Sequence, residues 1–218
     1  MNTNVNLTAP LGALALLGTV FMFVVALTLL IHSLVVRKMR RSQVVFALMA
    51  MLAVAYFGTL VIFSFASHEK ALAPGEEKYF CELDCHLAYS IAGSRQAKQF
   101  GVQTHPLAAH GEFTIISIKT RFDETTISPQ RGNGLLYPNP RLLILLDQNG
   151  NRYKPSAQTG IPLTSPLRPG EFYMSDIAFD LPADARPATL LFGESDWLTH
   201  LIIGHENSPF HRKTSFKV

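Results

Sequence analysis

The chain has 218 residues, of which 48% are apolar and only 16% are charged, and its net charge is +3 at neutral pH. A folded domain takes about 100 to 150 residues, so there is room for one membrane unit and one compact domain, and two ordinary domains beside an anchor are excluded. Much of the basic excess sits in Arg37, Lys38, Arg40 and Arg41 rather than along a face that could track phosphates, which argues against nucleic acid as a partner.

Residues 1–10 form a short segment without Lys or Arg. Residues 11–36, "LGALALLGTVFMFVVALTLLIHSLVV", contain no residue charged at neutral pH. About 20 apolar residues cross a bilayer as a helix, so this run predicts a first transmembrane helix. A cleaved signal peptide would carry its positive charge ahead of the apolar run, whereas here the charge follows it. Residues 37–43 form a basic loop, and residues 44–66, "VVFALMAMLAVAYFGTLVIFSFA", predict a second span. Lys and Arg favour the cytoplasmic side, which puts the loop inside and both chain ends outside. The expected location is a bacterial inner membrane, with the N-terminus and the C-terminal domain on the periplasmic side. His32 lies one turn before the charged end of the first span and reads as an interfacial residue reaching toward water. Gly12, Gly18, Ala26 and Gly58 offer small-residue packing positions.

Residues 67–77, "SHEKALAPGEE", read as a polar linker, and residues 78–218 as the external domain. Period-2 runs fill that domain: "EFTIISIKTRF" at 112–122, "RLLILLD" at 141–147, "EFYMSDIAFDL" at 171–181, "ATLLF" at 188–192 and "DWLTHLIIG" at 196–204. Turns dense in Gly, Pro, Asn and Asp separate them, including "RGNGLLYPNP" and "DQNGNRYKP". The fold class expected is a transmembrane helical hairpin followed by an immunoglobulin-like antiparallel β-sandwich.

The only two cysteines, Cys81 and Cys85, lie in "YFCELDCHLAYS" at 79–90, with His86 directly after the second. Tyr79, Cys81, Leu83, Cys85, Leu87, Tyr89 and Ile91 share the odd positions, and from 82 onward the even ones read Glu, Asp, His, Ala and Ser, which predicts one continuous strand. Cysteines four apart on a strand stand about 13 Å apart, too far for a shared metal or a mutual disulfide, so both would be core fillers. Glu82, Asp84 and His86 would then form a polar row on the opposite face. Unpaired thiols are exposed to oxidation in the periplasm. A local turn would bring them together, so a metal site and a local disulfide stay open beside the buried-core reading. The candidate ligands are Cys81, Cys85 and His86, with His200, His205 and His211 as further donors, and thiolates together with imidazole suit copper(I). His205 and His211, close together in the closing residues, mark a secondary metal or partner site.

Three resemblances follow from these residues. The run "LLILLDQNGNRYKPS", "PLRPGEFYMSDIAFDLPADA" and "ATLLF", covering about 141–192, resembles a bacterial family of immunoglobulin-like domains of unknown function found on lipoproteins and membrane-anchored proteins. That likeness implies the fold and no catalytic residue. Two spans followed by an external sandwich are similar to the layout of cytochrome c oxidase subunit II, whose copper loop reads Cys-x-Glu-x-Cys. Here Tyr89 occupies the position of its His and Ala92 that of its Met, so the ligand set is incomplete. The Cys-x-x-x-Cys spacing is similar to that of Sco-type copper chaperones, without their flanking prolines. Covalent haem through Cys-x-x-x-Cys-His and a structural zinc needing two more ligands are the other metal readings.

No Gly-x-Ser-x-Gly elbow, phosphate loop or His-Glu-x-x-His is present, and the chain reads as non-enzymatic. The function expected is a membrane-anchored interaction module, an accessory subunit of a membrane complex or a homo-oligomer. The alternative is copper binding, redox work or copper delivery through Cys81, Cys85 and a histidine.

Overall fold

The computed structural model describes residues 8–80, 86–101, 106–126 and 132–218. Two long apolar helices are followed by a β-sandwich of two sheets. The chain divides into two compact units: residues 7–68 with 196–212, and residues 69–195 with 213–218.

In the first unit, α1 (Thr8–Val35) and α2 (Met39–Phe65) are 28 and 27 residues long. At about 1.5 Å per residue each spans some 40 Å, enough to cross a bilayer. The turn between them is tighter than the 37–43 loop expected. Arg37 adopts a left-handed φ of 56°, and Arg40 and Arg41 already lie in the first turn of α2. A wholly apolar groove of about 380 Å³ runs between the helices, lined by Leu16, Phe23, Met49, Tyr56 and Leu201 among others. Of the small residues expected to pack helix on helix, Gly18 and Gly58 face open space, whereas Gly12 is buried against the carbonyl of Ile203.

In the second unit, β1 (Lys70–Leu72), β10 (Thr214–Lys217), β9 (Pro187–Glu194), β5 (Arg141–Asp147) and β6 (Arg152–Tyr153) form one sheet in that order. The other sheet runs β2 (Lys78–Phe80), β3 (Leu87–Phe100), β4 (Leu107–Phe122), β8 (Phe172–Leu181) and β7 (Ala157–Gly160). All pairings are antiparallel except β1 with β10. Period-2 alternation sends Tyr89, Ile116, Ile118, Phe122, Leu145, Phe179, Leu190, Phe192 and Phe216 into one core between the sheets. Each such side chain contributes about 1.5 to 3 kcal/mol by its burial. Asp147 closes the β5–β6 turn by accepting from the backbone N–H groups of Asn149 and Asn151 at 2.8 and 2.9 Å and from the Tyr153 hydroxyl at 3.0 Å.

Three expectations are corrected. The stretch 79–91 is not one strand: Phe80 pairs with Leu87, so the chain reverses between β2 and β3. The phase of the alternation changes there, since Phe80 before the reversal and Leu87 after it both enter the core, and no Gly, Pro or Asn marks the reversal. Residues 196–204 are not a strand either. Asp196 caps a 3₁₀ turn, Trp197–Leu201, by accepting from the Leu198 N–H at 3.0 Å, and the segment belongs with the helices. Within the expected linker, Lys70–Leu72 form an edge strand.

Candidate functional site

The β2–β3 reversal is where the sequence placed its candidate ligands. Cys81 and Cys85, with Glu82 and Asp84, lie outside the described residues, but the stems that carry them are defined. Opposed residues of an antiparallel pair stand about 4.5 to 5.5 Å apart at Cα, so the Phe80 to Leu87 pairing holds both ends of the cysteine loop together.

Two polar clusters flank these stems. The first lies between the sheets. Lys78, Phe80, Tyr89, Arg141, Phe192 and Glu194 meet where alternation would have called for apolar side chains. Arg141 and Glu194 are register partners on β5 and β9. The Arg141 side chain is 1% exposed, and its Nη1 donates to Glu194 Oε1 at 3.1 Å. Its Nε donates to the Tyr89 hydroxyl at 3.3 Å, and its guanidinium lies 4.3 Å from the centre of the Phe80 ring. The Lys78 ammonium donates to the carbonyls of Phe192 at 2.5 Å and Thr214 at 3.0 Å, and stands 4.9 Å from the same ring. Two buried cations thus share the ring of the residue directly before Cys81, an arrangement that favours negative charge nearby.

The second cluster is on the outer face, where Tyr79 and Arg121 fall in one cross-strand row through Ala88. Arg121 donates to both carboxylate oxygens of Glu77 at 2.7 Å, and to Asp123 at 3.1 Å. Tyr79 donates to Asp123 Oδ2 at 2.5 Å, and Asp123 Oδ1 accepts from the N–H and hydroxyl of Thr125. The Arg121 hydrogen bonds hold the Glu77 carboxyl below the usual range against the opposing effect of burial. Burial pushes Asp123 the other way, yet the bonds from Tyr79, Thr125 and Arg121 outweigh it and keep the carboxyl strongly depressed. Burial and the carboxylate neighbours raise the Tyr79 hydroxyl. With these oxygens engaged by Arg121, Tyr79 and Thr125, this acidic pair is a bracing network and not a cation site. Among the described residues, no group of three or more His, Cys, Asp or Glu could hold a metal.

The histidines are distributed as follows. His86 is buried and stacks on Phe122 at 5.4 Å, so it does not join an exposed polar row. Its carbonyl accepts from the Asp123 N–H at 2.8 Å. His200, His205 and His211 belong to the other unit. His205 is buried with Nδ1 accepting from the Asn207 N–H at 3.0 Å, and His211 Nδ1 lies 2.8 Å from the Arg212 carbonyl.

Sequence reasoning missed the cluster around Arg141. A signal was present: Arg141 shares the parity of the buried Leu143 and Leu145, and Lys78 that of Phe80. A charge in phase with core positions marks a paired interior site.

Neither a protein family nor a curated protein matches the sequence. Three solved structures are similar in shape. One is a β-sandwich protein of Clostridium difficile 630, described as uncharacterized, at 12% identity and a TM-score of 0.43, covering 70% of this chain and 95% of that one. Another is the secreted protein MPT63 of Mycobacterium tuberculosis, at 11% identity and a TM-score of 0.43, covering 70% and 98%. The third is the yjhA protein of Bacillus subtilis, at 12% identity and a TM-score of 0.37, covering 67% and 98%. Neither cytochrome c oxidase subunit II nor a copper chaperone is among these three.

Proposed function

We propose that the chain is a non-enzymatic, membrane-anchored module of a bacterial inner membrane whose extracytoplasmic β-sandwich binds a protein partner, as an accessory subunit of a membrane complex or in a homo-oligomer. The observation that carries this reading is the braced loop before β5. Leu136 turns inward onto the core, and its backbone exchanges two hydrogen bonds with Leu167 at 2.9 and 3.0 Å. Its neighbours Leu135 and Tyr137 are thereby held outward, 42% and 66% exposed. A loop whose backbone is already braced loses little entropy on binding, and aromatic side chains such as Tyr137 are enriched at interface centres. Co-purification of the full chain from mild detergent tests the reading. Replacing Leu135 and Tyr137 by Ser should release the partner or dissociate the oligomer while leaving the melting temperature unchanged. A complex that survives the double substitution would overturn it.

Copper binding through Cys81, Cys85 and a histidine is the second reading. The chain reversal at Phe80 and Leu87 favours it, since it removes the separation that a single strand would impose. About one copper per purified chain, lost in C81S/C85S, is the expectation that follows from one such site. Metal-free protein after copper loading would rule it out.

A further inference from the structure

The segment 196–212 interrupts the sandwich sequence between β9 and β10, yet it packs with the two apolar helices. The Tyr56 hydroxyl of α2 donates to the Leu201 carbonyl at 2.6 Å. A Cβ on Gly12 of α1 would stand 2.0 Å from the Ile203 carbonyl oxygen, so only glycine allows that approach. Phe65, at the end of α2, stacks on Phe210 with ring centres 5.3 Å apart, and the Arg212 N–H donates to the Ser67 hydroxyl at 2.8 Å.

The depth of these contacts can be worked out along α2. Tyr56 lies nine residues before Phe65, the last helical residue, which is about 14 Å at 1.5 Å per residue. A 27-residue helix exceeds a hydrocarbon core of about 30 Å by roughly 10 Å, or about 5 Å at each end. Leu201 then falls about 9 Å inside the hydrocarbon boundary.

A non-helical backbone survives there only if its polar groups have partners. In this segment many are satisfied locally. The Leu198 N–H donates to Asp196, the Ile202 N–H to the Thr199 carbonyl, and the Leu201 carbonyl accepts from Tyr56. The Ile202 carbonyl accepts from the His205 N–H and the Ser208 hydroxyl. Trp197 and Phe210 are each 69% exposed and Leu198 is 44% exposed, while Asp196 and His200 are exposed beside them. Large apolar side chains next to polar ones, on a segment bonded to spanning helices, suit the boundary between headgroups and acyl chains.

We propose that residues 196–212 form a re-entrant segment that dips into the outer leaflet of the bilayer beside α1 and α2, with Trp197, Leu198 and Phe210 in contact with lipid. The inference rests on the membrane placement in the proposed function. Its test uses Trp197, the only tryptophan in the chain. The full chain is reconstituted in phosphatidylcholine and phosphatidylglycerol vesicles and washed with alkaline carbonate. Its fluorescence is then read with lipids brominated near the headgroup and with aqueous iodide. Blue-shifted emission, mostly lost with the brominated lipid and insensitive to iodide, is expected. Emission at the aqueous maximum that iodide quenches, from protein retained in carbonate-washed vesicles, would overturn the inference and leave the membrane reading intact. Release of the chain by carbonate would overturn both.

Discussion

The buried pair of Arg141 and Glu194 makes an asymmetric prediction. In the variant E194Q the guanidinium keeps its charge at a site where its side chain is 1% exposed. Breaking a buried pair from one side costs about 3 to 5 kcal/mol, because the remaining ion is left uncompensated. The contacts of Arg141 with Phe80 and Tyr89 persist and recover part of that, which puts the loss nearer 3 to 4 kcal/mol. R141M leaves the other charge behind, but the Glu194 side chain is 14% exposed and reaches water. The thioether refills much of the volume, so this variant should lose only about 1 to 2 kcal/mol. For a domain of this size the E194Q loss corresponds to a fall of about 10 to 20 °C in melting temperature. The assay is near-ultraviolet circular dichroism of the full chain in detergent at pH 7, with Tyr79, Tyr89, Tyr153 and Tyr173 reporting on the sandwich. R141M as damaging as E194Q would refute the reasoning.

Three further outcomes follow from the geometry. Glu77 and Asp123 have folded pKa values below their unfolded ones, so the stability they add is complete above about pH 5 and declines as pH falls through the unfolded values of roughly 4 toward the folded ones. Melting curves from pH 7 to acid should show that decline and a smaller one in R121Q; identical profiles would contradict the network. In G170A a side chain is placed on a residue whose φ is +81°, while the Glu124 carboxylate beside it is the end of a flexible side chain and can swing away; the expected loss by the same melts is about 1 to 2 kcal/mol. In G12A the added methyl displaces the Ile203 carbonyl, so Trp197 emission in vesicles should shift red while the sandwich melt stays unchanged; an unaltered spectrum would refute the Gly12 contact.

The sequence made the large elements legible where a single physical rule governs them. Uncharged runs of spanning length became α1 and α2, and "RLLILLD" is β5 residue for residue, because one buried face imposes strict alternation. The rule failed where alternation in the sequence continues through a reversal that no Gly, Pro or Asn marks, as between Phe80 and Leu87. It failed again at "DWLTHLIIG", whose apolar residues answer to the helices and not to a sheet. Strand β3 continues through Arg95, Gln96 and Lys98, which are too polar for a one-sequence reading; the pairing of Arg95 with Ile115 and Gln96 with Thr114 on β4 carries the strand through them. At the candidate site, the cysteines drew notice by their rarity. The pairs that define its surroundings, Arg121 with Glu77 and Arg141 with Glu194, join residues 44 and 53 positions apart, a distance no local pattern spans.

Membrane topology tests the account most directly. Alkaline phosphatase fused after Val218 should be active and a fusion within the turn at Lys38 inactive, with a fluorescent protein giving the reverse. An active phosphatase at Lys38 with an inactive one at Val218 would contradict the placement of the sandwich outside the cytoplasm.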